Sequence, residues 1–72
     1  MEQGDLLRKF GQRITHLREQ QGLTIDELAV RSGVGVEEIA LIERGEVDFQ
    51  VTVVYALARG LGVKPAQLVE GL

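Results

Sequence analysis

Glycine punctuation is the feature that most restricts what this chain can fold into. Gly22, Gly33, Gly45 and Gly62 each close a stretch in which apolar residues recur at helical spacing. The first stretch carries Leu6, Phe10, Ile14 and Leu17, with Arg8, Lys9, Arg13 and Arg18 between them, which is a one-sided stripe. Gly22 lacks a Cβ and so accepts the left-handed conformation that ends such a helix. Residues 1–4 are expected to fray. Thr24-Ile25-Asp26-Glu27 then opens a second helix. The Thr24 hydroxyl can accept from the amide three residues on, and the Glu27 carboxylate can reach back to the amide of Thr24, which is a capping box. This short helix carries Leu28 and Ala29 and ends near Ser32-Gly33. After the tight break Gly33-Val34-Gly35, the run Val36 to Arg44 carries Ile39, Ala40 and Ile42. Glu46-Val47-Asp48-Phe49-Gln50 reads as a loop. A fourth helix from about Thr52 carries Val51, Val54, Tyr55, Leu57, Ala58 and Leu61 and stops at Gly62. Pro65 occupies a first-turn position that needs no amide donor, and Ala66 to Val69 forms a last short helix.

Five short helices in 72 residues describe one all-α domain. A core this small is marginal, but 44% of the residues are hydrophobic while only 4% are aromatic, so the interior is Leu, Ile, Val and Ala, which suits packed short helices. The chain has no Asn, and with it none of the Asn-Gly hairpin turns of a β protein. Cysteine is absent, which excludes disulfides, thiolate metal sites and a cysteine nucleophile. The lone His16 excludes multi-histidine zinc chemistry and reads as a surface helix residue. Ser32 lies in a turn, no nucleophile–base pairing is apparent, and Gly33-Val34-Gly35 is a turn rather than a phosphate cradle. The expectation is a protein that is not an enzyme and needs no cofactor. The longest apolar run, Val51 to Leu57, is far short of the ~20 residues that span a bilayer. Met1 to Asp5 lacks the basic-then-apolar order of a signal peptide. No membrane association and a cytoplasmic location are therefore expected.

The second and third helices, joined by a short Gly-containing turn, make a helix-turn-helix over about residues 24–45. In register around it stand Arg13 and Arg18, Gly22-Leu23-Thr24, Glu27-Leu28-Ala29, Gly33-Val34, Ile39-Ala40-Leu41-Ile42-Glu43-Arg44-Gly45 and Leu57-Ala58-Arg59-Gly60-Leu61-Gly62-Val63. With these residues the chain resembles the Cro/phage-repressor helix-turn-helix family, the XRE type, from Phe10 to Leu68. The resemblance implies a compact five-helix, lambda-repressor-like domain. It implies a DNA-binding transcriptional regulator that works as a homodimer on double-stranded DNA, with half-sites about one helical turn apart. It places Ala29 where the two motif helices cross and joins Arg18 to Glu43 as a structural ion pair. It assigns Arg13, Arg31 and Arg44 to phosphate, Gly35 to the start of the recognition helix, and Val36, Glu37 and Leu41 to the groove face.

The groove face departs from the family pattern. Where the family favours Gln at the start of the leading helix, this chain has Ile25. Where it favours a capping Ser or Thr on the recognition helix, this chain has Gly35, which leaves backbone amides but no hydroxyl. The following loop brings Glu46 and Asp48 instead of Lys or Arg. Between Ile25 and Asp48 there are seven acids and two bases, net −5, within a chain of net −3. Ile25, Val36, Leu41, Val47 and Phe49 are expected to cluster on the outer face. An apolar patch near Leu41 and Phe49 supports an alternative: a protein–protein interaction module on the same fold whose acidic, apolar motif face no longer reads DNA.

Overall fold

The computed structural model describes residues 3–72, which form five helices: α1 (Gln3–Gln20), α2 (Ile25–Ser32), α3 (Val36–Glu43), α4 (Val51–Leu61) and α5 (Pro65–Val69). The helix expected from Leu6 begins earlier, at Gln3; of the residues expected to fray, Met1 and Glu2 lie outside those described. Two contacts fix the N-terminal half of α1. Arg8 pairs with Asp5 one turn before it, and the left-handed Gly45 lies against the Arg8 backbone, where a Cβ would come within 2.9 Å of Arg8 Cγ.

The helix ends follow from local hydrogen bonding. After α1, the amide of Leu23 donates to the carbonyl of Arg18 at 3.1 Å and that of Gly22 to Glu19 at 3.0 Å, so the last turn closes on a left-handed glycine. The capping box at α2 is complete. The Glu27 amide donates to Thr24 Oγ1 at 3.0 Å and the Thr24 amide donates to Glu27 Oε1 at 2.8 Å. The bond from the Thr24 backbone amide, and then that from its hydroxyl, hold the Glu27 carboxyl below the usual carboxylate range. α5 starts on Pro65, with Gln67 Oε1 accepting from the Lys64 amide at 2.8 Å.

Phe10, Ile14, Leu28, Ile39, Ile42, Leu57, Leu61 and Leu68 are fully buried, so every helix contributes to one core. Burial of apolar surface at about 25 cal/mol per Å² is the main favourable term for such a domain. Two glycines inside helices set the helix separations. A Cβ on Gly11 of α1 would stand 2.3 Å from the Ile42 carbonyl oxygen and 2.6 Å from that of Glu43, so the end of α3 rests directly on the α1 backbone. A Cβ on Gly60 of α4 would stand 2.9 Å from Ser32 Cβ and 3.1 Å from Leu28 Cδ1, which fixes the α2–α4 crossing. Ala29 is half-buried against the same core. These two contacts hold the motif helices against the rest of the domain and leave their other faces to solvent.

Candidate nucleic-acid interface

The turn of the motif is built by Ser32, Gly33 and Val34. Gly33 is left-handed (φ 79°), and its amide donates to the Ala29 carbonyl at 2.8 Å. The buried Ser32 hydroxyl accepts from the Val34 amide at 3.1 Å, which turns the chain toward α3 and seats Val34 in the core. Gly35 then caps α3 in extended conformation without a side-chain bond, leaving the first-turn amides open to an outside acceptor. Ile39 and Ile42 point inward. Val36, Glu37 and Glu38 are exposed and Leu41 is half-buried, so the outer face of α3 is formed by the side chains that the resemblance assigns to the groove, with Glu38 beside them.

Beneath the motif, Arg18 Nε donates to Glu43 Oε2 at 2.8 Å and its Nη2 to Oε1 at 3.1 Å, while Nη1 donates to the Leu23 carbonyl at 2.8 Å. The side chains of the pair are only 13% and 8% exposed. Hydrogen bonding to Glu43 raises the Arg18 guanidinium further above its ordinary value against the opposing effect of burial. One guanidinium thus ties α1, the α1–α2 turn and the end of α3 together. A fork of this kind needs arginine rather than lysine.

The other arginines are distributed less simply. Arg31 is exposed on the last turn of α2, where its charge also acts on Glu27. Arg44 follows α3 directly and pairs with Glu46, Nε to Oε2 at 3.2 Å, with both side chains more than half exposed. Such an exposed pair is worth ~0–1 kcal/mol and opens readily. Arg13 is committed elsewhere. Its guanidinium donates to the carbonyls of Gln67 at 2.7 Å and Glu70 at 2.9 Å, closing the C-terminus of α5. A cation there meets unpaired carbonyls and the negative end of the helix.

The apolar patch expected around Leu41 and Phe49 does not form. Ile25, Val47 and Phe49 turn inward and pack on the core, and the Phe49 ring stacks on Phe10 with centroids 3.8 Å apart. Burying a large ring against another is worth more than exposing it beside Leu41. An apolar groove lies instead on α4 and α5. It is open, about 370 Å³, and lined by Phe49, Val51, Val54, Tyr55, Pro65, Ala66 and Val69. Val51 is 70% exposed and Tyr55 57%. Among the described residues no helix is long and apolar enough to cross a membrane.

Five helices around a capped helix-turn-helix, with a buried ion pair below it and an outward third helix, define the Cro/repressor class of fold. Residues 9–71 match the model of a helix-turn-helix domain, and the chain belongs to that family. It is similar to an uncharacterized helix-turn-helix-type transcriptional regulator, y4dJ, of Sinorhizobium fredii, at 35% identity over 90% of this chain and 84% of the relative. Among solved structures it is similar to the restriction-modification controller protein C.AhdI from Aeromonas hydrophila. That match has 35% identity and a TM-score of 0.84, over 86% of this chain and 94% of that one. It is also similar to the clp gene regulator ClgR from C. glutamicum, at 25% identity and a TM-score of 0.82, over 89% and 83% of the two chains.

Proposed function

We propose that this chain is a cytoplasmic transcriptional regulator that binds double-stranded DNA as a homodimer, with α3 in the major groove. The observation that carries the reading is the outward face of α3, held in a rigid helix-turn-helix by Gly11 and the Arg18–Glu43 pair. The family and the C.AhdI likeness over nearly the whole of both chains support it. In this reading Val36, Glu37 and Leu41 meet base edges. The open amides after Gly35 meet a phosphate, and Arg31 and Arg44 meet flanking phosphates once Arg44 leaves Glu46. Arg13 stays on α5. The exposed apolar groove of α4 and α5 supplies the dimer seam, which frees the motif face for DNA.

A salt titration of binding to duplex DNA tests the reading. With two arginines per protomer on phosphate, log K should fall against log salt with a slope of about −4 for the dimer. No detectable binding at ~50 mM salt, where non-specific contacts are strongest, refutes it.

A further inference from the structure

Base recognition in the major groove is a matter of donors, acceptors and methyl groups, and the outer face of α3 offers an unusual set. Ile39 and Ile42 are buried, and Glu43 is held by Arg18. What faces outward is Val36, Glu37, Glu38 and the half-buried Leu41, with Arg44 at the far end held by Glu46. None of Val36, Glu37, Glu38 or Leu41 carries a side-chain hydrogen-bond donor when its carboxylate is ionised. Guanine presents two acceptors to the major groove, O6 and N7, and needs a donor opposite. The front of α3 has none to give. Adenine presents a donor, N6, beside the acceptor N7, which faces a carboxylate oxygen unfavourably. Cytosine presents N4 as a donor with no acceptor beside it on the same base, and thymine alone presents a methyl group.

Resting on the DNA-binding reading above, we propose that Glu37 is a specificity-determining residue that accepts a hydrogen bond from the N4 amino group of a cytosine, with Val36 and Leu41 set against thymine methyl groups. Glu37 is the residue placed for this. It is exposed in the first turn of α3 and points away from the core, and on the DNA-binding reading above it faces the groove. The same carboxylate stands near phosphates of like charge, so it costs overall affinity while selecting among sequences. Discrimination rather than tight binding is therefore its contribution.

The test selects binding sites from a pool of duplexes randomised in sequence, using the wild-type chain and Glu37→Gln in parallel. Glutamine has nearly the same size, keeps the helix start, and pairs with adenine through N6 and N7. The wild type should enrich one cytosine per half-site, preferred about fivefold to tenfold over other bases. Glu37→Gln should move that one position to adenine, leave the others unchanged and bind more tightly overall. Replacing the adjacent thymines by uracil should weaken binding about fourfold for each methyl lost from apolar contact. An enriched site that is the same for both proteins, or that carries no cytosine, overturns this assignment alone. Failure of both proteins to retain any duplex overturns the DNA-binding reading and this assignment with it.

Discussion

Replacing glycine by alanine inside a helix ordinarily stabilises it by about 1 kcal/mol, because alanine loses less backbone entropy on folding. The three helical glycines of this protein should depart from that rule to different degrees, in an order set by what a Cβ would meet. At Gly4 the nearest atom is the flexible end of Arg8 at 3.7 Å, so Gly4→Ala should gain ~0.5 kcal/mol, the smaller value reflecting its place in the first turn. At Gly60 the contacts are Ser32 Cβ at 2.9 Å, Leu28 Cδ1 at 3.1 Å and the Ser32 amide nitrogen at 3.1 Å, so relief requires the α2–α4 crossing to open slightly. Gly60→Ala should lose ~1 kcal/mol net. At Gly11 the obstacles are carbonyl oxygens at 2.3 and 2.6 Å, which no rotamer change can move. The end of α3 must retreat about 0.7 Å even to reach the 3.0 Å that real Cβ atoms respect. Overpacking against backbone costs about 3 kcal/mol, and subtracting the helix gain leaves Gly11→Ala a net loss of about 2 kcal/mol. Urea unfolding followed by circular dichroism gives the three values, and in a domain of this size the last should lower Tm by roughly 10 °C. A Gly11→Ala variant as stable as the wild type would refute the close approach of α1 and α3, and with it the account of how the motif is held.

Three further outcomes are expected. Arg18→Ala or Glu43→Ala alone should cost about 3–5 kcal/mol, because each strands a buried charge, while the double variant should lose less than the sum; an additive cycle would show that the pair is not coupled. The Glu27 carboxyl titrates lower in the folded chain than its reference value of 4.5, so its capping contribution is full above that pH and is lost as pH falls through the lower folded value. The stability gap between the wild type and Glu27→Ala should accordingly narrow on acidification from pH ~5 to ~3, and a gap that stays constant would rule out the charged cap. Val51→Asp, in the exposed α4–α5 groove, should convert the proposed dimer to a monomer in sedimentation experiments without loss of helicity; an unchanged association state would overturn the placing of the seam on this groove.

The elements were legible in the sequence wherever their signals are local. Thr24 and Glu27 lie three residues apart and cap one helix, and left-handed Gly22, Gly33, Gly45 and Gly62 stand where the chain turns. α4 starts at Val51, one residue before Thr52, because Gln50 takes the cap position, while Pro65 stands in the first turn of α5, as its sequence position predicts. The Arg18–Glu43 pair came from the resemblance and not from spacing, since its partners are 25 residues apart. What stayed hidden depends on contacts across the fold. The closeness of Gly11 to α3, the stacking of Phe49 on Phe10 and the reach of Arg13 to α5 join residues whose local patterns are unremarked: a glycine in a helix, an aromatic in a loop, an arginine on a stripe. Phe49, read as part of an outer patch, is instead packed on the core, and Arg13 spends its guanidinium on the carbonyls that end α5.

The charge of the motif reads differently once each acid is placed. Of the seven acids between Ile25 and Asp48, Glu43 is neutralised from outside the segment by Arg18, and Glu46 by Arg44. Glu27 closes a cap, and Asp48 accepts from the Phe49 amide at 2.8 Å. Asp26, Glu37 and Glu38 remain, all in the first turns of α2 and α3. Helix starts carry roughly half a positive charge each, so these three acids face a field that partly offsets them. The net −5 is therefore not a uniform repulsive surface. It is concentrated at the two helix starts, where Glu37 and Glu38 stand beside the open amides after Gly35. A phosphate approaching those amides meets both the helix field and two carboxylates. Removing one carboxylate by Glu37→Gln should consequently raise affinity for any duplex, and the change in sequence preference is what separates base reading from simple relief of repulsion.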